Sequence, residues 1–200
     1  MQSLIDEYDR MYSENPVRWD LTDLDAQRFE ILRPYCEDGN SLLDVGCGSG
    51  HTIEYFADRL PDLDYYGIDL SGVAINHART VNPQAALVQT SIQDCVFRNI
   101  DIVLLGGVAE HFQNLSEGFS AVKKVLARNG IVYMEVPNCI AYPEAHGEGF
   151  YKTRADGQTE WHMTRPAWEE VLVGNGFEVI QSVKGQKLYN EFIWILKLKE

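Results

Sequence analysis

The segment "LLDVGCGSG", residues 42–50, joins a short apolar run to three glycines at alternate positions. The apolar run with Asp44 at its end is typical of a buried strand, and the residues after the last glycine have the apolar spacing of a helix. Because glycine has no Cβ, the backbone at Gly46, Gly48 and Gly50 can take unusual dihedral angles and can lie close to a ligand. The segment therefore predicts a strand, a ligand-binding turn and a helix.

Two phosphate-binding loops have a different spacing from this turn. The dinucleotide fingerprint is G-x-G-x-x-G, whereas here the third glycine comes one residue early and His51 stands where that glycine is expected. The Walker A loop needs a lysine that reaches the phosphates, and "GCGSGHT" (46–52) has none. A glycine loop before a helix could still bind the phosphate of a nicotinamide cofactor. A nicotinamide-dependent oxidoreductase therefore remains an alternative.

Apolar strands alternate with amphipathic helices along most of the chain. "DYYGIDL" (64–70) and "DIVLLG" (101–106) are two of the predicted strands. Continuous apolar runs are typical of strands that are buried on both faces of a parallel sheet. "FEVIQSVKG" (177–185) and "EFIWILKLK" (191–199) are joined by a short segment, so the last strand should run antiparallel. The pattern predicts an α/β fold with helices on both faces of the sheet.

The sequence also indicates several helix boundaries. Ser71 and Thr164 each precede a helical pattern and are predicted N-caps, because their hydroxyls can accept a hydrogen bond from the first turn. "SEGFSAVKKVLARNG" (116–130) is predicted to be a helix that Asn129 and Gly130 stop.

Two further regions differ from the alternating pattern. Residues 1–36 have helical spacing until Pro34 and "EDGN" break it, which predicts an N-terminal helical cap. The remaining residues, 37–200, are predicted to form one domain. Within that domain, residues 138–165 are rich in aromatic side chains and have little periodicity. Such a segment in a compact domain is usually functional, and a lid-like insertion is predicted here.

The composition is that of a globular protein with a surplus of acidic residues. Its 200 residues, 45% of them hydrophobic, suit one domain with one core. A formal net charge of −13 argues against a nucleic-acid partner, because phosphate binding gains its affinity from Lys and Arg. Four cysteines without a C-x-x-C pair indicate no metal site and a reducing compartment. No secretion signal or membrane span is recognisable, so the expected location is the cytoplasm.

Residues 44–50 read D-x-G-x-G-x-G, which resembles motif I of the class I S-adenosylmethionine-dependent methyltransferases. Further segments are similar to that family in the same order: "GIDLS" (67–71), "QTSIQD" (89–94), "DIVLLGGVAEHF" (101–112), "VLARNGIVYMEVPN" (125–138) and "EWHMTRPAWEEVLVGNGFEVI" (160–180). The resemblance covers roughly residues 38–198 and is strongest to small-molecule methyltransferases of the ubiquinone-biosynthesis type. It implies a Rossmann-like, doubly wound, mostly parallel seven-stranded sheet with an antiparallel last strand, and an S-adenosylmethionine-binding domain over residues 37–200.

The resemblance implies S-adenosylmethionine as the cofactor and S-adenosylhomocysteine as its product. This cofactor carries a sulfonium and no phosphate, so it needs close approach of the backbone more than positive charge. Asp69 should hold the ribose hydroxyls, as an acid at this place does in dinucleotide folds. Leu70 should pack on the adenine, and the carbonyl of Gly106 should accept a hydrogen bond from the ammonium group. The cofactor residues implied by the resemblance are Asp44, Gly46, Gly48, Gly50, Asp69, Leu70, Ile92, Asp94, Cys95 and Gly106.

His111 follows the fourth strand of the pattern and is the candidate catalytic residue. Methyl transfer is an in-line displacement, in which alignment supplies much of the rate and a base near neutral pKa can deprotonate a hydroxyl acceptor. The alternative is that Glu110 and His111 only hold the loop. His146, Tyr151 and His162 are candidate substrate contacts in the irregular segment, and no metal ligands are predicted.

The predicted function is methyl transfer to an O, N or C atom of a small-molecule metabolite. After the fourth strand the chain has "GGVAEH" (106–111), where enzymes that methylate the amines of nucleic-acid bases often have Asn/Asp-Pro-Pro-Tyr. A nucleic-acid acceptor is therefore disfavoured. A non-catalytic S-adenosylmethionine-binding regulatory module of the same fold is the alternative from another class. The identity of the acceptor and the oligomeric state stay open at this point.

Overall fold

The computed structural model describes residues 2–17, 22–138, 151–153, 159–185 and 191–199 of the chain. Its helices are α1 (Gln2–Glu14), α2 (Thr22–Leu32), α3 (His51–Ala57), α4 (Gly72–Val81), α5 (Leu115–Val125) and α6 (Arg165–Gly174), with short 3₁₀ helices at Arg33–Tyr35 and Ala109–His111. Its strands are β1 (Ser41–Val45), β2 (Asp64–Asp69), β3 (Ala86–Gln89), β4 (Ile100–Gly106), β5 (Leu126–Val136), β6 (Tyr151–Thr153), β7 (Thr159–Trp161), β8 (Phe177–Lys184) and β9 (Phe192–Leu198).

Seven of these strands form one sheet in the order β3-β2-β1-β4-β5-β9-β8. Neighbouring strands from β3 to β5 are parallel, whereas β9 runs antiparallel to both β5 and β8. The prediction of a mostly parallel seven-stranded sheet with an antiparallel last strand is confirmed. The chain passes from β1 to β2 on one side and later returns to β4 on the other side of β1. The switch point of the sheet therefore lies at the carboxyl ends of β1 and β4.

Both faces of the sheet are covered, because successive strand residues point to opposite faces. Leu43 of β1 belongs to a buried cluster that contains Phe119 of α5 and Trp168 of α6. Leu42, the preceding residue, belongs to a second buried cluster that contains Phe56 of α3. Helices α2 and α4 contribute to this second cluster as well. The expected helices on both faces are therefore present.

The two predicted N-caps are confirmed. The hydroxyl of Ser71 accepts a hydrogen bond from Ala74 N at 3.1 Å, at the start of α4. The hydroxyl of Thr164 accepts one from Ala167 N at 3.4 Å, at the start of α6. Each cap satisfies a backbone N–H that has no partner inside its helix, and so fixes where the helix begins.

The prediction that a helix continues to Asn129 and Gly130 is wrong. Helix α5 ends at Val125, and Leu126 is already extended and pairs with Ile100 of β4. A register shift follows directly after this pair. A Cβ on Gly130 would lie only 2.8 Å from the carbonyl oxygen of Ile100, so the glycine allows close strand pairing rather than a helix end. Pairing with a distant strand overrides the local helical pattern.

The predicted insertion, residues 138–165, lies only partly within the described residues. Strands β6 and β7 form a separate two-stranded antiparallel sheet, in which Tyr151 is opposite Trp161. The Trp161 indole N–H donates to the carbonyl oxygen of Phe112 at 2.7 Å and so ties β7 to the loop after β4. His146, a candidate substrate contact, lies outside the described residues.

Candidate active site

A cavity of about 450 Å³ lies at the carboxyl edge of the large sheet. The turns that follow β1, β2, β3 and β4 line it, and α1 and α2 supply a further wall. Open α/β sheets bind their ligands at this edge, beside the switch point between β1 and β4. A cavity of this size suits a small molecule, which identifies it as the candidate active site.

The first two glycines of the turn form part of the cavity wall. Gly46 and Gly48 have positive φ angles of 72° and 52°, a region that L side chains rarely adopt. A Cβ on Gly46 would lie 2.7 Å from Val108 Cγ2, and a Cβ on Gly48 would lie 2.6 Å from Tyr12 Oη. The turn therefore presents bare backbone to the cavity, as predicted from the glycine spacing.

The third glycine has a different position. Gly50 has a φ of 87° and does not line the cavity. A Cβ there would lie 2.5 Å from Asn82 Nδ2 and 2.9 Å from Ala78 Cβ, and Asn82 Nδ2 donates to the carbonyl oxygen of Gly50 at 2.9 Å. Gly50, a candidate cofactor residue in the sequence, is therefore placed where it allows α3 to pack closely on α4.

Asp69 ties the end of β2 to the glycine turn. Its Oδ2 accepts a hydrogen bond from Gly48 N at 2.9 Å, and its Oδ1 accepts one from Ser71 N at 2.8 Å. Burial raises the pKa of Asp69, while these backbone N–H groups oppose that effect by stabilising the carboxylate. The side chain lines the cavity, where the sequence predicted a ligand contact.

Asp44 lies at the end of β1 and is 4% exposed. Burial raises the pKa of its carboxyl to about 7, although the positive charge of Arg28 opposes this change. The neighbouring carboxylates of Asp25, Asp69 and Glu135 add to the increase. Near neutral pH, Asp44 therefore exchanges between its protonated and ionised forms within the cavity wall.

Arg28 of α2 joins the N-terminal helices to the sheet. Its Nη2 and Nε donate to the two carboxylate oxygens of Glu135 at 2.8 and 3.2 Å, and its Nη1 donates to Asp25 Oδ1 at 3.1 Å. The hydroxyl of Tyr133 also donates to Glu135, at 2.7 Å. Burial disfavours the charged guanidinium, but Glu135 and Asp25 outweigh it and raise the pKa of Arg28. Paired charges of this kind hold α2 in one position over the cavity.

His111 lies in the cavity wall and is oriented by β7. Its Nδ1 is 2.7 Å from the carbonyl oxygen of Thr159. Because a carbonyl only accepts hydrogen bonds, Nδ1 carries the proton, and the lone pair of the neutral ring is on Nε2. Nε2 lies 3.9 Å from Oε1 of Glu110, which lines the cavity as well. The predicted catalytic residue thus has a fixed ring orientation next to a carboxylate.

The turn after β3 brings only some of its predicted residues to the cavity. Ile92 lines it, and so does Gln93, which the sequence interpretation did not single out. Asp94 is exposed and does not line the cavity. Cys95 is buried behind the wall, where burial raises the pKa of its thiol. From this turn, Thr90, Ser91, Ile92 and Gln93 line the cavity, whereas Asp94 does not.

Two other predicted cofactor residues, Leu70 and Gly106, do line the cavity. Gly106 is the last residue of β4 and lies next to the guanidinium of Arg28. A Cβ at position 106 would lie 2.8 Å from Arg28 Nη2. The end of β4 and the Arg28 side chain are therefore in contact only because position 106 has no side chain.

The candidate substrate contacts His162 and Tyr151 are not among the described residues that line the cavity. His162 is 4% exposed and is not a wall residue, and its Nε2 is 2.8 Å from Oε1 of Glu160. Glu160 itself lines the cavity. Tyr151 belongs to β6, and its side chain lies outside the described atoms. His162 is therefore placed behind a cavity carboxylate.

Several wall residues were missed in the sequence interpretation: Arg28, Gln93, Glu135, Glu160 and Glu191. Glu135 had a usable signal, because it is an ionisable residue in the apolar run "IVYMEV" (131–136), and a buried carboxylate needs a partner. Arg28 had no comparable signal. It lies on α2, whose docking position depends on contacts with residues far along the chain.

Helix α1 is anchored next to the glycine turn by Asp9. Its Oδ1 accepts hydrogen bonds from Ser71 Oγ at 2.6 Å and from Val73 N at 3.2 Å, both at the start of α4. Tyr12, one turn later, is 6% exposed and lines the cavity. The amino end of α4 favours a negative charge, which gives this anchor a physical basis.

In the described part of the chain, His, Cys, Asp and Glu side chains do not gather in groups of three or more that could hold a metal ion. In the same ranges, no helix combines the length and apolar character needed to cross a lipid bilayer.

A sequence profile described as "Methyltransferase domain" matches residues 21–182 of the chain. Among curated proteins, a trans-aconitate 2-methyltransferase of Afipia carboxidovorans is 25% identical over 114 residues, which are 53% of this chain and 42% of that protein. A dTDP-3-amino-3,4,6-trideoxy-alpha-D-glucopyranose N,N-dimethyltransferase of Streptomyces venezuelae is 28% identical over 138 residues, which are 65% of this chain and 56% of that protein. The chain thus spans about half the length of these curated relatives.

A solved structure supports the same fold. It is the Burkholderia thailandensis 1,6-didemethyltoxoflavin-N1-methyltransferase with bound 1,6-didemethyltoxoflavin and S-adenosylhomocysteine. The match has a TM-score of 0.69 and 14% sequence identity, and covers 100% of this chain and 87% of that one. At this identity the likeness concerns the fold.

Proposed function

Because this chain belongs to the class I S-adenosylmethionine-dependent methyltransferases, we propose that it moves the methyl group of S-adenosylmethionine to a small molecule bound in the cavity. The observation that carries the proposal is a single cavity that joins the glycine turn to the ends of β4, β5 and β9. Since the sheet order is β3-β2-β1-β4-β5-β9-β8, the first three turns supply one end of this cavity. The carboxyl ends of β4 and β5 and the start of β9 supply the other end.

The first end has the properties that the cofactor requires. S-adenosylmethionine supplies a methyl group that is activated for transfer by a positively charged sulfonium. Gly46 and Gly48 offer backbone without side chains, and Asp69 offers a carboxylate. Each carboxylate oxygen has a second lone pair besides the one that accepts a backbone N–H, which suits the two ribose hydroxyls.

The second end would hold the methyl acceptor. His111, Glu135 and Glu160 lie there, on three different elements. His111 would accept a proton at Nε2 if the acceptor has to lose one, since Nδ1 is held by Thr159. Enclosure by several elements favours a small molecule over a polymer. The names of the matched curated relatives, which act on trans-aconitate and on a nucleotide-linked amino sugar, agree with this class of acceptor.

The predicted cap, residues 1–36, and the predicted insertion, residues 138–165, would keep water away from the reacting atoms. Support for the first comes from Tyr12 beside the glycine turn and from Arg28, which joins α2 to Glu135. Support for the second comes from the hydrogen bond between His111 and Thr159. Exclusion of water strengthens the electrostatic interactions at a reacting centre.

Calorimetric titration with S-adenosylhomocysteine tests the cofactor end. We expect binding to the wild-type protein, and binding about 10–100-fold weaker for Asp69→Asn, because a charged hydrogen-bond acceptor is lost. Asp62→Asn is the matched control, because Asp62 is exposed and does not line the cavity. No heat with S-adenosylhomocysteine but heat with a nicotinamide cofactor would refute the proposal.

Turnover is tested by incubating the protein with S-adenosylmethionine and a small-metabolite extract, and by measuring S-adenosylhomocysteine. We expect product only with extract present. If proton removal by His111 limits the reaction, His111→Ala slows it by about 10²–10⁴-fold. Cofactor binding with no turnover would instead support the non-catalytic regulatory module.

A further inference from the structure

We propose that Asp44 makes the cavity distinguish S-adenosylmethionine from S-adenosylhomocysteine by their charge. Its carboxyl gives up a proton to solvent when the sulfonium cofactor binds, and it takes a proton back when the uncharged thioether product is left. The inference rests on the proposed function, because it concerns the cofactor of that reaction. It goes beyond that function by assigning the selection between cofactor and product to one carboxyl.

Asp44 lies between the two ends of the cofactor site. In the parallel register of the sheet it pairs with Gly67 of β2 on one side and with Leu104 of β4 on the other. Asp69 and Gly106 are each two residues further along those strands, at positions of the same face, because successive residues alternate between faces. A ligand that reaches from Asp69 to the end of β4 therefore crosses the end of β1. In S-adenosylmethionine the sulfonium stands between the ribose and the amino-acid group.

The carboxyl of Asp44 lies in the cavity wall without a hydrogen-bond donor. The side chain is almost fully buried, yet it lines the cavity. In the described part of the chain, no backbone or side-chain group donates a hydrogen bond to it. Asp69 is the contrast, because Gly48 N and Ser71 N donate to its two oxygens and stabilise its ionised form. Of these two buried acids, Asp44 is therefore the one whose charge depends more on what occupies the cavity.

The charged groups around Asp44 are mostly acidic. Those that act on its carboxyl are Asp25 and Arg28 of α2, Asp69 of β2 and Glu135 of β5. Arg28 already donates to Glu135 and Asp25, and His51 of α3 has its Nδ1 2.5 Å from the other oxygen of Asp25. Burial raises the pKa of the neighbouring Cys47 thiol, which keeps it uncharged. In the ligand-free protein, burial raises the pKa of Asp44 to about 7, with Arg28 opposing this change and the three carboxylates adding to it.

A positive charge in the cavity changes this balance. Next to a cation, the ionised carboxyl of Asp44 is stabilised and its pKa falls, so the proton passes to solvent. Once the sulfur of the ligand is an uncharged thioether, this stabilisation is lost and the carboxyl binds a proton again. By linkage, the affinity for S-adenosylmethionine rises as the pH approaches the pKa of the ligand-free carboxyl, whereas the affinity for S-adenosylhomocysteine changes little. The ratio of the two affinities therefore shifts toward the cofactor as the pH rises.

Calorimetric titrations in two buffers of different ionisation enthalpy count the protons that each ligand displaces. At pH 7 about half of the ligand-free molecules carry the proton on Asp44, so we expect S-adenosylmethionine to release about half a proton per molecule bound. S-adenosylhomocysteine should release far less. Asp44→Asn has no carboxyl proton, so it should give the same proton count for both ligands. Asp62→Asn, which changes an exposed carboxyl, is the matched control and should behave like wild type.

The affinities from the same titrations give a second readout. From pH 5.5 to pH 7, binding of S-adenosylmethionine to wild type should strengthen about tenfold, and binding of S-adenosylhomocysteine by no more than about threefold. If Asp44→Asn does not fold, the comparison of the two ligands on the wild-type protein still decides the question. Equal proton release and equal pH dependence for the two ligands would overturn the proposal and leave the proposed function intact. No heat with either ligand would remove the proposed function, and this inference with it.

Discussion

Replacing Asp44 by asparagine changes how the stability of this protein depends on pH. Asp44 is buried at the end of β1, and burial raises the pKa of its carboxyl from 3.8 to about 7. The folded protein therefore binds this proton more tightly than the unfolded chain does. Between pH 3.8 and about 7, the folded state carries more protons, so the free energy of unfolding falls as pH rises through this window and then levels off. Asparagine has no proton to lose and removes this dependence.

The magnitude follows from the shift of the pKa. One pKa unit corresponds to about 1.4 kcal/mol, so the full shift corresponds to about 4 kcal/mol. About 2.5 kcal/mol of this amount is lost between pH 5 and pH 8, because the group is protonated in the folded state at the first pH and ionised at the second. The wild-type protein should lose that much more stability over this interval than Asp44→Asn loses.

Urea denaturation of the ligand-free protein at pH 5 and pH 8 measures this difference. Titrating groups that do not interact with Asp44 contribute equally to wild type and variant, so they cancel when the two pH dependences are subtracted. Asp62→Asn is the control, because this exposed carboxyl should leave the dependence unchanged. The argument fails if Asp44→Asn keeps the wild-type dependence, or if wild type gains stability relative to the variant as the pH rises.

Three further substitutions test other parts of the site. Gly48→Ala should lower the free energy of unfolding by about 1–2 kcal/mol, because Gly48 has a positive φ. It should also weaken S-adenosylhomocysteine binding, because the added Cβ would displace Tyr12. Gly50→Ala should destabilise the protein without weakening that binding. Equal loss of calorimetric affinity in both variants would place Gly50 at the ligand after all. Asp9→Ala should lower the free energy of unfolding by about 1 kcal/mol, because Ser71 loses its partner on α1. An unchanged urea midpoint would contradict that role.

The sheet and its ligand-binding edge could be predicted from the sequence because their signals are local. Alternation of apolar strands with amphipathic helices depends on neighbouring residues, and so do the caps at Ser71 and Thr164. The glycine turn is likewise local, since positive φ angles at Gly46 and Gly48 require a particular residue type. The resemblance to the class I S-adenosylmethionine-dependent methyltransferases, which rested on an ordered set of such signals, is confirmed. The one wrong boundary, at Leu126, arose where a distant strand competed with a local helical pattern.

The walls of the cavity were decided by contacts between distant residues. Arg28 meets Glu135 across 107 positions, and His111 meets Thr159 across 48. The turn after β3 is a clear example, because Gln93 lines the cavity there and the predicted Asp94 does not. By itself the sequence determined the sheet, the turn after β1 and the acid at the end of β2, because periodicity and residue type act over a few positions. Only the tertiary structure decided which charged residues line the cavity, because that depends on how separate elements pack against one another.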